Sequence, residues 1–149
     1  MREKFTQALK TAMKNQEKRR VSTLRLILAA IKDRDIASRS EDRDGVTDSE
    51  ILDILAKMVK QRRESVVTYE EAGRLELANQ EQEEIDIISD FLPKQLNDAE
   101  IDAAVTKTLE EISAAGLKDM GRTMGALKDR YAGQMDFSKA SAVVKSKLS

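Results

Sequence analysis

One proline, Pro93, stands in this chain, and on both sides of it apolar residues recur every three or four positions. Proline removes a backbone donor and clashes with the preceding helical turn, so its absence leaves long helices uninterrupted. Nothing alternates with period two for long enough to make a convincing strand. The sequence therefore predicts an all-α chain, and glycines and capping residues mark where its helices start and stop.

Seven helices are expected. The first covers about Arg2–Asn15, with Phe5, Leu9 and Met13 on one stripe. The second covers about Glu17–Ser38. Its Val21, Leu24, Leu28 and Ile31 keep helical spacing, and Leu26, Ile27 and Ala30 make its middle apolar on nearly every side. That pattern predicts a central, buried helix. After a loop at EDRDGV, Thr47 and Glu50 form a capping box for the third helix, which ends at Gly73. The fourth runs from Arg74 to Phe91 and is stopped by Pro93. Asn97 with Glu100 opens the fifth, which ends at Gly116; Asp119 and Asp136 cap the sixth and seventh. The expected architecture is an N-terminal four-helix bundle over residues 1–93, then a small three-helix bundle over 94–149, with Pro93–Leu96 as the hinge.

The core must be aliphatic, because aromatic residues make up only 3% of the chain. Histidine, cysteine and tryptophan are absent. This removes the commonest general acid/base and metal ligand, and the best intrinsic nucleophile. No disulfide can form. Ser22, Ser65 and Ser141 have no base to activate them. Gly45 aligned with the invariant glycine of a calcium loop puts Asp42 and Asp44 at ligand positions, but Ile51 falls where a bidentate glutamate is required. The carboxylates Glu81, Glu83, Glu84 and Asp86 lack the Glu-x-x-His companion of a bridged metal site. No phosphate-cradling glycine loop is present. The expectation is no catalytic residue, no metal and no cofactor: a chain that binds.

Charge shows where binding could occur. Lys, Arg, Asp and Glu make up 36% of the chain, yet the net charge is only −1. Residues 1–40 carry eleven basic against four acidic side chains, 41–90 six against fifteen, and 120–149 six against two. Arg62 and Glu81 fall on predicted apolar stripes, and Arg25 lies close to one. One reading is a structural ion pair between helices two, three and four, since an unpaired buried charge is costly. The other is a functional cluster that adds Lys60, Arg63, Glu64, Arg74 and Glu84.

Gly121 and Gly125 sit four apart on one face of the sixth helix. Each costs that helix about 1 kcal/mol relative to alanine. Close packing against helix five or seven would account for them. So would close approach of a nucleic-acid backbone, whose phosphates Arg122, Lys128, Arg130, Lys145 and Lys147 would meet, with Lys139 extending the region. With few aromatics for base stacking, shape and phosphate recognition of folded RNA is the expected mode.

Four segments in order carry a resemblance: STLRLILAAIK (Ser22–Lys32), KQRRESVVTYEEAGR (Lys60–Arg74), FLPKQL (Phe91–Leu96) and MGRTMGALKDRYAGQMD (Met120–Asp136). Together they resemble the GatB/YqeY family, in its small stand-alone YqeY-like members. The resemblance implies a two-part all-helical protein. It also implies kinship of the C-terminal part with the tail of the tRNA-dependent amidotransferase B subunit, where the tail helps hold tRNA. Carbon–nitrogen ligase activity with glutamine as amide donor is the activity that family implies, but 149 residues leave no room for its ATP-dependent catalytic domain. The implied role is a tRNA-binding or amidotransferase-associated accessory protein, with tRNA and an amidotransferase or aminoacyl-tRNA synthetase as partners. The alternatives are a protein-interaction module, using adaptable methionines such as Met120, Met124 and Met135, and an enzyme using Lys60 or Glu64. With no cysteine, which fits a reducing compartment, no apolar run long enough to span a bilayer and no apolar leader at the N-terminus, the expected location is the cytoplasm and no membrane partner is expected.

Overall fold

The computed structural model describes residues 1–39 and 45–149. Asp42 and Asp44 of the calcium-loop comparison lie outside the described residues. The chain is all-α, with seven α-helices and no strand among the described residues. It divides into two compact units, Met1–Leu92 and Pro93–Ser149.

The first unit holds α1 (Arg2–Lys14), α2 (Lys18–Arg39), α3 (Asp48–Glu71) and α4 (Leu75–Ser89). Its core is Phe5, Leu24, Ile27, Ile31, Ile51, Leu55, Ile85, Ile88 and their neighbours, aliphatic except at one end. There Phe91 closes on Phe5 with ring centroids 5.0 Å apart. The Thr47 box forms: the Glu50 amide donates to Thr47 Oγ1 at 3.2 Å, and the Thr47 amide to the Glu50 side chain. α4 ends at Ser89, ahead of Pro93, and the chain turns through Asp90 with the Phe91 amide donating to the Ile88 carbonyl.

Two features of this unit differ from the sequence reading. The helix α2 is not buried all round. Thr23, Leu24, Ile27, Ile31 and Ser38 are buried, but Leu26 is 46% and Ile36 54% exposed. α1, α3 and α4 cover one side of α2 and leave the other bare. The second feature is a latch between distant segments. Both Nη atoms of Arg2 donate to the Asp35 carboxylate at 2.5 Å, and the Val46 amide donates to the same group at 3.0 Å. Gly45 makes this possible. Its φ is +114°, and a Cβ there would lie 3.0 Å from an Asp35 oxygen. The Arg2 guanidinium, and then the Val46 amide, hold the Asp35 carboxyl down at about 2.

The second unit holds α5 (Asp98–Glu111), a short 3-10 turn at Leu117–Asp119, α6 (Met120–Arg130) and α7 (Phe137–Leu148). Ile101, Val105, Leu127, Ala140 and Val144 form its core. The Asn97–Glu100 capping box is complete, and Asp136 accepts the Ser138 amide at 2.9 Å to start α7. α5 stops at Glu111, short of Gly116, and Ser113 takes the left-handed backbone at φ +54°. Asp119 does not cap α6 with its side chain. Its carboxylate turns back to accept the Ala115 amide at 2.8 Å, so it ties down the α5–α6 connection. That amide, ahead of Arg122, lowers the Asp119 pKa.

Candidate functional site

Gly121, Gly125 and Lys128 fall on one face of α6 by their i, i+4, i+7 spacing, and all three are exposed. The opposite face buries Thr123 and Leu127 against the core. A Cβ built on either glycine meets nothing within 4 Å. The glycines therefore do not serve packing against helix five or seven. Met120 and Met124 flank them, half-buried and packed on the core cluster.

The cations named with these glycines separate into two groups. Arg122 pairs with Asp119 at 3.2 Å on its own helix entry. Arg130 pairs with Glu111, and Lys147 with Asp102 at 3.3 Å; Lys139, beyond them, pairs with Asp98 at 3.3 Å. Acidic side chains of α5 thus take up three cations of α6 and α7. Lys128 and Lys145 have no ion-pair partner among the described residues. Over residues 93–149, nine Lys and Arg face eight Asp and Glu, so the unit as a whole is close to neutral. The paired cations are exposed, and exposed pairs contribute roughly 0–1 kcal/mol each. A polyanion can therefore compete for these arginines and lysines at little cost.

In the first unit, Arg62 and Glu84 meet. Arg62 Nε lies 2.9 Å from Glu84 Oε2, and Nη1 donates to the Met58 carbonyl at 3.2 Å. Both side chains are mostly buried, at 14% and 17% exposure, so the pair joins α3 to α4. Glu81 is half-buried on α4. Lys60, Arg63, Glu64 and Arg74 are exposed along the α3–α4 hairpin, and Arg25 is exposed on α2. A shallow cleft of about 410 Å³ lies elsewhere, between the start of α2 (Glu17 to Arg20) and Glu83, Asp86 and Ile87 of α4. Arg19 bridges it to Glu83 at 3.2 Å. Sequence reasoning missed this cleft and the Arg2–Asp35 latch, because the residues of each are 33 or more apart in the chain. Among the described residues no group of three or more acidic side chains is placed to hold a metal ion, and no helix is long and apolar enough to cross a membrane.

The fold defines a class: an all-helical protein of two compact units, each with its own apolar core. The chain belongs to the Yqey-like protein family, whose model matches residues 2–148. It is similar to altered inheritance of mitochondria protein 41, mitochondrial, of Lachancea thermotolerans, at 28% identity over 94% of this chain and 74% of the relative. The proteins of the same name from Eremothecium gossypii and Kluyveromyces lactis are 33% and 31% identical, over 81% and 71% of this chain. The chain spans about three-fifths of the length of these last two.

These relatives overturn the cytoplasmic expectation, because they are named as mitochondrial proteins. The expectation rested on missing cysteines and a missing apolar leader. Neither bears on this question: mitochondrial transit segments are amphipathic and Arg-rich rather than apolar, and low cysteine content is not specific to one reducing compartment.

Proposed function

We propose that this protein is a non-catalytic accessory that holds tRNA through its C-terminal unit, as the tail of the amidotransferase B subunit does in the related enzyme. The observation that supports this most is the open glycine face of α6. Two glycines each cost that helix about 1 kcal/mol relative to alanine, and nothing among the described residues lies close enough to account for them. A phosphate–sugar backbone can approach such a face more closely than any side-chain-bearing helix allows. Lys128 on the same face and Lys145 supply cations with no ion-pair partner among the described residues, and Arg122 can exchange Asp119 for a phosphate. The amidotransferase, or an aminoacyl-tRNA synthetase, is the partner that this role calls for.

Filter-binding titration of tRNA across salt concentrations tests the reading. Two or three phosphate contacts predict log K falling linearly with log salt, with a slope of about −2 to −3. No measurable binding at low salt removes it. The near-neutral charge of the second unit favours a second reading, a protein-interaction module whose Met120 and Met124 adapt to a partner. Partners captured by the chain that persist after nuclease treatment support that reading instead.

A further inference from the structure

The bare side of α2 carries an ordered pattern that the tRNA reading does not use. Lys18, Arg25 and Lys32 stand at seven-residue intervals, about 10.5 Å apart along the axis. All three are exposed, and none is ion-paired among the described residues. Beside this row, Ser22, Leu26, Ala29, Asp33 and Ile36 follow at alternating spacings of four and three, and every one is exposed. That is the seam of a two-helix contact, with the cations flanking it where paired helices place their interhelical ion pairs. Leu26 at 46% and Ile36 at 54% exposure are apolar knobs without holes. Ser22 one turn before Leu26 and Ala29 between the two are small enough for a second backbone to come close.

We propose that this face of α2 docks an amphipathic helix of another protein, with apolar residues along its seam and a row of Glu or Asp on one flank. Three features select a helix over other anionic partners. The cations lie along one edge at a strict heptad interval, a register that mobile lipid headgroups do not require. Two large apolar side chains, Leu26 and Ile36, lie in the stripe, where phosphate contacts would leave them in water. Asp33 lies in the same stripe, where it repels a polyanion but meets a single lysine on a helix without penalty. The binding mode is helix-on-helix pairing, read out by anchors at three- and four-residue spacing.

The test uses the full chain and a synthetic three-heptad peptide with Leu along its seam, one Lys there to meet Asp33, and Glu on both flanks, whose own charges oppose self-pairing. Fluorescence anisotropy should show saturable binding in the micromolar range. A scrambled peptide of the same composition and poly-glutamate should both fail to saturate. Arg25→Glu with Lys32→Glu should weaken the peptide about tenfold, given exposed ion pairs of ordinary strength. Leu26→Ser with Ile36→Ser should weaken it at least as much. All four side chains are exposed, and circular dichroism of each variant checks that the helices remain. Equal binding of poly-glutamate, or indifference to the Leu26 and Ile36 changes, overturns the proposal. So does binding of phosphatidylserine vesicles or duplex RNA at lower concentration than the peptide, weakened by the Arg25 and Lys32 changes alone. Because the tRNA reading rests on α6, loss of one leaves the other standing.

Discussion

Replacing Gly121 and Gly125 by alanine should raise stability and lower tRNA binding at once. Both glycines are in α6, and a Cβ at either position meets no described atom within 4 Å beyond its chain neighbours and its own helix backbone. The helix therefore gains the ordinary alanine advantage, with no overpacking to subtract. That is about 0.8–1.0 kcal/mol per site and about 1.5–2 kcal/mol for both. For a unit of this size the unfolding midpoint should rise by roughly 6–15 °C. Thermal and urea unfolding followed by circular dichroism measure the gain. Filter binding with tRNA at fixed low salt measures the cost. If close approach of the RNA backbone is what the glycines serve, two methyl groups hold the phosphates off and affinity drops severalfold despite the stabler fold. A stabilised variant that binds tRNA as well as the parent refutes the link between the glycine face and RNA. A destabilised variant refutes the open-face geometry itself.

Three further outcomes follow from the packing. Arg62→Ala should destabilise the first unit by about 1–3 kcal/mol in urea unfolding, between the ranges for exposed and fully buried pairs; Arg62→Met with Glu84→Met should recover most of that, and a harmless single change would contradict the pairing. The Asp35 carboxyl is held at about 2 by Arg2 and the Val46 amide, below its usual value near 3.9. Its contribution is therefore present above pH 4 and lost as pH falls through about 2, so Asp35→Asn should flatten that acid limb in denaturation curves taken between pH 2 and 6. The hydroxyls of Thr23 and Thr108 are buried without a hydrogen-bond partner among the described residues, so Thr23→Val and Thr108→Val should each stabilise by about 1 kcal/mol; a loss in either denaturation curve would count against this.

Helix existence was legible because it is written locally. The Thr47–Glu50 and Asn97–Glu100 boxes, each within four residues, form as their spacing implies. Burial was less legible. α2 is apolar on two sides, and periodicity alone cannot say which side finds a neighbour, so Leu26, expected within a buried middle, is bare. Charge counted along the chain misled in the same way. Residues 120–149 read as a cationic segment, but α5 brings Asp98, Asp102 and Glu111 against three of its cations. Asp119 was read as a cap from its position one residue before α6, whereas its carboxylate finds a better donor in the Ala115 amide. The Arg2–Asp35 latch joins residues 33 apart and leaves no local pattern to read.

The most direct measurement is to follow backbone amide resonances while tRNA is added at low salt. The proposed function predicts shifts concentrated at Gly121, Arg122, Gly125 and Lys128 on α6, reaching Lys145 on α7, and reversed by added salt. Shifts confined to the first unit, or none at saturating tRNA, would contradict it.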